Sequence, residues 1–375
     1  MNKNTKKGSG ILGGLLLLVV GIGVLWSNEG RTVKTQSAIL EAKKTFIQVK
    51  SDKVDSKNEG KLVATKGKIN ADTLDELKDD IFGISVKAVK LKRNVEVYQW
   101  KEKCTKEDDK EKCTYEKVWD SKILNSDEYK EAGHTNPSDV PYENEEYISE
   151  NVKVGAFTLP EELIKSLKFD KTKNNDALTN EYNNSKELIK VDGKYLTTVG
   201  QDGPVVGDIR ISYTYTTAKN VSVIGVQTDD TFEAFTSKKG KDIYTIVEGN
   251  KTGTQMLENM ISANKTLKWG LRILGAVLVM GGFSAMFGFI TNLANKVPVL
   301  GAIIGGATNL VSTILGLSVS LVVIAVAWFR FRPILSIVLI AIVVGLIVFL
   351  KMYGPKKDNK EVKEETKKDK EETKK

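Results

Sequence analysis

The chain has one histidine and two cysteines, so imidazole or thiolate chemistry has few places to occur. His134 lies in Gly133-His134-Thr135-Asn136-Pro137-Ser138. A lone histidine can serve as a general base, but a run of Gly, Asn and Pro is more simply a turn. Cys104 and Cys113 flank an acidic–basic turn symmetrically. Outside a reducing cytoplasm, cysteines placed so close a disulfide across a hairpin; free thiols are the alternative. Two thiols without a partner histidine do not form a zinc site. The chain contains no Gly-x-x-x-x-Gly-Lys-Ser/Thr loop, no Gly-x-Ser-x-Gly elbow and no His-Glu-x-x-His pair. The expectation is therefore no catalytic, cofactor or metal site and no small-molecule substrate. Sequons begin at Asn183, Asn220, Asn250 and Asn264 and would matter only in a eukaryotic secretory lumen.

The elements that would position these residues are unevenly distributed. A hydrophobic fraction of 41% describes an ordinary soluble protein, but the apolar residues concentrate in 11–26 and 271–350, with a polar stretch between. The net charge of +8 does not indicate nucleic acid, because most lysines alternate with acids as on a solvated surface.

Residues 11–26 carry no charge and end at Trp26, an interfacial anchor residue. A span needs about 20 residues for a ~30 Å core, so this helix (11–27) is short. The rival is a cleaved signal peptide, but Trp26-Ser27-Asn28-Glu29 lacks the small-x-small cleavage pattern. A second span is expected over 271–290, with Arg272 at its mouth snorkelling to the interface. Residues 298–309, with Pro298, Gly301, Gly305 and Gly306, suggest a re-entrant or in-plane piece. Third and fourth spans follow over 310–329 and 334–350, separated by Arg330, Arg332 and Pro333. Lys3, Lys6 and Lys7 precede the first span, and Lys351, Lys356 and Lys357 follow the last. With four spans, both basic ends belong on the cytoplasmic side, which leaves 31–268 extracytoplasmic or luminal. Arg330 and Arg332 then fall on the unfavoured side. From residue 351 the chain alternates Lys with Glu and Asp and cannot bury a core.

Between the spans, the alternation is that of strands. Val95, Val97 and Gln99 take one face and Glu96, Tyr98 and Trp100 the other, and a second strand returns over 114–124. Ile209, Ile211, Tyr213 and Tyr215 mark another strand, and 221–226, 232–235 and 243–247 continue the pattern. Pro160 opens a short helix, 170–187 reads as a loop, and Met256, Met260, Ala263 and Leu267 at helical spacing lead into the second span. The fold expected is an α+β membrane protein, with a β-rich domain between one N-terminal and about three C-terminal helices.

Gly281-x-x-x-Ala285, Ser284-x-x-x-Gly288, Gly301-x-x-x-Gly305 and Gly316-x-x-x-Ser320 put small residues on helix faces, which permits close packing and a homo-oligomer. The alternatives are a channel or transporter built on the C-terminal helices, disfavoured by their lack of charge, and a membrane-bound hydrolase using His134.

The order of several short motifs resembles the LUMA family, transmembrane protein 43. These are Asn28-Glu29-Gly30-Arg31, Asn58-Glu59-Gly60-Lys61, Ala88-Val89-Lys90-Leu91-Lys92-Arg93 and Tyr98-Gln99-Trp100. Gly133-His134 with Asn136-Pro137, Gly207-Asp208 before Arg210, Trp269-Gly270 with Arg272, and Arg332-Pro333 complete them. The resemblance implies four spans, a large luminal domain and no established catalytic residues. For animal members it implies the endoplasmic reticulum and inner nuclear membrane, oligomerisation, and scaffolding of nuclear-envelope proteins such as emerin and lamins. In a bacterium only a membrane-organising role at the plasma membrane could transfer. Membrane lipids, other membrane proteins and further copies are thus the partners expected. The Cys104/Cys113 pair and the charged tail depart from the family pattern.

Overall fold

The computed structural model describes residues 5–107, 110–182, 186, 189–294, 300–338 and 341. The chain divides into two compact units, Met1–Gln36 with Ala263–Lys375, and Ser37–Ser262.

The β-rich unit is built on two larger sheets. In the five-stranded sheet, Leu62–Lys68 pairs antiparallel with Asn220–Thr228, in register Val63 to Gly225 and Thr65 to Val223. Asn220–Thr228 also pairs with Thr231–Glu233 and Thr245–Glu248. Its run Val221–Gly225 is buried without alternation, because both faces are covered. On one side Val63, Val221 and Val223 join Phe157, Leu163, Ile164 and Phe232 in one core. On the other, Leu62, Ala64 and Ile224 pack with Ala38, Ile39, Ala42, Met256 and Leu257.

The seven-stranded sheet centres on Lys90–Glu107, paired with Ile209–Thr216 and Lys110–Asp120. Alternation holds as the residues require: Val95, Val97 and Gln99 are buried while Glu96, Tyr98 and Trp100 are half-buried. Ile209, Ile211 and Tyr213 repeat the pattern, and with Phe82, Ile84 and Leu178 they form a second core. Inside it, Arg93 donates to Asp79 at 2.7 Å, to Glu145 at 2.8 Å and to the Glu143 carbonyl at 2.9 Å. The Tyr213 hydroxyl donates to the same Asp79 oxygen at 2.7 Å. Each buried charge is thus paired and hydrogen-bonded, which an interior ion pair requires.

Five α-helices are described: α1 (Thr5–Thr45), α2 (Glu161–Ser166), α3 (Asn175–Glu181), α4 (Gly253–Ala294) and α5 (Leu300–Phe331). Among the described residues, three helical stretches are long and apolar enough to cross a membrane, Ile11–Thr45, Gly253–Gly288 and Leu310–Phe331. Several elements differ from the sequence reading. Helix α1 does not end near residue 27, because Ala38, Ile39 and Ala42 recur at helical spacing on a buried face. Residues 170–187 are not wholly a loop. Asn174 caps α3 by accepting from the Ala177 N–H at 3.0 Å, and Leu178 anchors it, fully buried. Residues 300–309, read as part of a re-entrant or in-plane piece, are the first turns of α5. Of the fourth span expected at 334–350, residues 334–338 and 341 are helical; the rest, with the 351–375 tail, lies outside the described residues.

Candidate functional site

In the helical unit, α1 and α4 run antiparallel at very close range. A Cβ on Gly14 would lie 2.7 Å from the Gly282 carbonyl oxygen, and one on Gly21 3.0 Å from that of Gly275. These four glycines stand seven apart on each helix, which brings them to one stripe after two turns. They, rather than Gly281 and Gly288, make the close contact, for a Cβ on either of those would meet nothing within 4 Å. On α5, Gly316 packs against Met280 of α4, and the Ser320 hydroxyl donates to the Gly316 carbonyl of its own helix.

The apolar stretches of α1, α4 and α5 turn polar at one level, and there a buried cluster forms. Glu29, fully buried, accepts from Arg272 Nε at 2.7 Å through one oxygen and from Trp328 Nε1 at 3.1 Å through the other. The Arg272 guanidinium lies 4.8 Å from the Trp269 ring centre and 5.8 Å from that of Trp328. Beside it, Arg31 donates to Asn264 at 2.9 Å and to Asn28 at 3.1 Å. Asn28 in turn donates to the Lys268 carbonyl at 2.9 Å, and Asn264 to that of Thr32 at 3.1 Å. Gly30 admits the Phe331 ring, which would lie 2.8 Å from a Cβ there, and Trp26 meets that ring edge-on at 5.7 Å. Arg332 is at the break after α5, and Pro333 opens the next helical residues, where its missing N–H costs nothing. A Cβ on Gly270 would meet no neighbour.

Arg272 therefore corrects the snorkelling expectation. Its side chain is 11% exposed and bonded to an acid on α1. Sequence reasoning missed the pair because Glu29 stands 243 residues away and looked like a residue outside the first span. One signal was available. Glu29 is the only acid between residues 11 and 36, and residues 263–354 contain none.

The remaining motif residues gather in the β-rich unit as bracing. The Asn136 side chain accepts from the Trp100 N–H at 2.7 Å and donates to the carbonyls of Trp100 and Leu124 at 2.8 and 3.0 Å, as a paired strand would. Pro137 follows it in the loop. His134 stacks on Tyr115 at 3.8 Å and meets Trp100 edge-on at 4.6 Å, and its Nδ1 lies 3.4 Å from the Glu131 carbonyl. Gly133 supplies a φ of +92° just before it. Gln99, fully buried, bridges Lys122 and Leu124 through 2.6 and 2.8 Å bonds. Tyr98 exchanges backbone bonds with Gly207 and Asp208, and the Asp208 carboxylate accepts from Thr198 and Val205. Arg210 bonds Glu96 at 2.7 Å beneath the rings of Trp119 and Tyr195. Asn58, Glu59 and Gly60 form a separate turn in which Glu59 accepts from the Asp229 N–H at 3.0 Å and Gly60 donates to the Gln227 carbonyl.

Cys104 and Cys113 are directly opposite in the hairpin and joined by a 1.96 Å disulfide. Glu102 lies near them, but bonded sulfurs offer no thiolate to a metal.

Fold and site together define an integral membrane protein whose β-rich region is flanked in the sequence by apolar helices that a buried charge cluster fastens to one another. The chain belongs to the transmembrane protein 43 family, whose family model matches residues 97–333. It is 25% identical over 377 residues to transmembrane protein 43 of Homo sapiens, covering 95% of this chain and 93% of that one. The Pongo abelii protein of the same name is 26% identical over 368 residues, covering 93% and 91%. The Drosophila melanogaster homolog is 26% identical over 341 residues, covering 86% and 89%. No solved structure matches significantly.

Proposed function

We propose that the chain is a multi-pass membrane scaffold whose doubly tethered β-rich domain lies on the extracytoplasmic or luminal side and engages other membrane proteins and further copies. The observation that carries this reading is the Glu29–Arg272–Trp328 cluster, which bonds the helix entering the domain to the helix leaving it. A folded domain presents a preformed surface, so partners meet it without a large ordering cost. The Cys104–Cys113 disulfide supports an oxidising compartment for the domain. The lysines before residue 11 and after residue 350 support cytoplasmic ends. In a eukaryotic cell the membrane would be the endoplasmic reticulum or inner nuclear membrane, with a part in nuclear-envelope organisation; in a bacterium it would be the plasma membrane.

Two measurements test the reading together. Protease added to sealed cells or vesicles should cut the domain only from the extracytoplasmic or luminal face. Crosslinking in native membranes should capture homo-oligomers or a defined partner. A domain cut from the cytoplasmic face, or crosslinking that yields monomers alone, would reject the proposal.

A further inference from the structure

The charge around the Glu29 cluster does not balance. The described stretches 11–36, 263–294 and 300–338 hold one acid, Glu29, against Arg31, Lys34, Lys265, Lys268, Arg272, Arg330 and Arg332. Arg272 is the cation ion-paired with that acid. Among the described residues, Lys268, Arg330 and Arg332 have no ion pair and lie against rings instead, Lys268 at 5.6 Å from Trp269 and Arg332 at 5.8 Å from Trp328. Arg272 Nη2 is buried without a hydrogen-bond partner. Cations at a membrane boundary carry a strong demand for counter-charge, and the anion at hand there is a lipid phosphate.

Beneath these cations, a groove of about 470 Å³ opens between α4 and α5. Ile273, Ala276, Leu317, Leu321 and Ala325 line it, and Trp269, Arg272 and Trp328 stand at its polar end. Its walls belong to helices apolar enough to span a membrane, so the adjoining medium is hydrocarbon. An apolar trough closed at one end by a guanidinium and two indoles has the polarity of a phospholipid: chain below, phosphate above, at the level where Trp is favoured.

We propose that this groove binds one acyl chain of an anionic glycerophospholipid, with the phosphate against Lys268, Arg272 and Arg332. With the orientation proposed above, a phosphate there would also supply the counter-charge for Arg332 on the side disfavoured by the positive-inside rule. The inference rests on the membrane placement of α4 and α5 and not on the scaffold reading.

Native mass spectrometry of the purified full chain, titrated with phosphatidylglycerol or phosphatidylcholine, tests it. Phosphatidylglycerol should bind more tightly. Lys268→Gln and Arg332→Gln should each weaken it about fivefold, the worth of one interfacial cation, and leave phosphatidylcholine nearly unchanged. Both leave the Glu29–Arg272 pair intact, so folding is preserved and a thermal melt can confirm it. Ala325→Phe should block the groove and reduce binding of both lipids. Equal binding of the two lipids, or no change in the glutamine variants, would overturn the proposal. So would full binding in Ala325→Phe, or competition by glycerol phosphate as effective as by the whole lipid, which would mark a free-phosphate site.

Discussion

Glu29 and Arg272 are 243 residues apart in the chain and 2.7 Å apart in space, and the acid is fully buried. Removing one member leaves the other charged and unpaired in a poorly hydrated place, at a cost of about 3–5 kcal/mol. Glu29→Ala and Arg272→Ala should each lower the melting temperature of the detergent-solubilised protein sharply. The double variant should lose much less than the sum of the two, as groups in direct contact do. Additive losses in the double-mutant cycle would show that the pair is not coupled.

Gly281 and Gly282 are adjacent, yet only Gly282 faces α1. A Cβ on Gly282 would come 2.7 Å from Leu18 Cγ and 2.8 Å from the Gly14 carbonyl oxygen, while one on Gly281 would meet nothing. Gly282→Leu should therefore destabilise the bundle by about 1–3 kcal/mol. Gly281→Leu should leave the monomer's melting temperature unchanged. Thermal melts of the two variants, side by side, decide this.

Asn136 replaces a missing strand with its amide, through bonds of 2.7, 2.8 and 3.0 Å. Asn136→Ala strands the Trp100 N–H and the Leu124 carbonyl, at about 1–3 kcal/mol for a group left unsatisfied, while the Trp100 carbonyl keeps the Tyr129 hydroxyl at 2.8 Å. The loop should detach, and His134 with it. Loss of the ring-current shift that Tyr115 imposes on the His134 protons reports this by NMR. A His134 spectrum unchanged from that of the parent would mean that the ring stacking alone holds the loop.

Reducing the Cys104–Cys113 bond opens a short loop, so the loss should be modest, about 2–3 kcal/mol on a chain-entropy account. It should also be local. Hydrogen exchange in Cys104→Ser/Cys113→Ser should rise along the outer part of the hairpin, while Val95, Val97 and Ile211, buried in the second core, keep their protection.

Two aspartates should contribute to an acid limb of stability. The Asp75 carboxylate accepts from the Glu150 N–H at 2.8 Å and from the Ser149 hydroxyl at 2.9 Å, which holds it below the ordinary aspartate value of 3.8. Partial burial pushes Asp170 up, but the Lys219 ammonium at 2.9 Å and the Thr217 N–H and hydroxyl pull harder, and it too lies low. Because the unfolded chain binds these protons more readily, the stabilisation is complete above the ordinary value and fades as pH falls below it. Urea midpoints measured from neutral pH down to about pH 3 should decline less steeply for Asp75→Asn than for the parent.

Much of the architecture was readable from local order in the chain. Hydropathy runs placed the apolar helices, since about 20 residues without charge have few other solutions. Alternation at Val95–Trp100 and Ile209–Tyr215 gave strands and the faces they bury, because a period of two follows from the pleat. What local order could not reveal was which distant groups meet. Helix α1 continues past residue 27 because Ala38, Ile39 and Ala42 find Met256 and Leu257, more than 200 residues on. The glycines that set helix spacing are Gly14, Gly21, Gly275 and Gly282, and a small residue carries no mark of the neighbour it admits. Glu29 and Arg272 read singly as ordinary boundary charges. Their partnership exists only once the chain has returned to the first helix, because a Coulomb interaction depends on separation in space and not along the sequence.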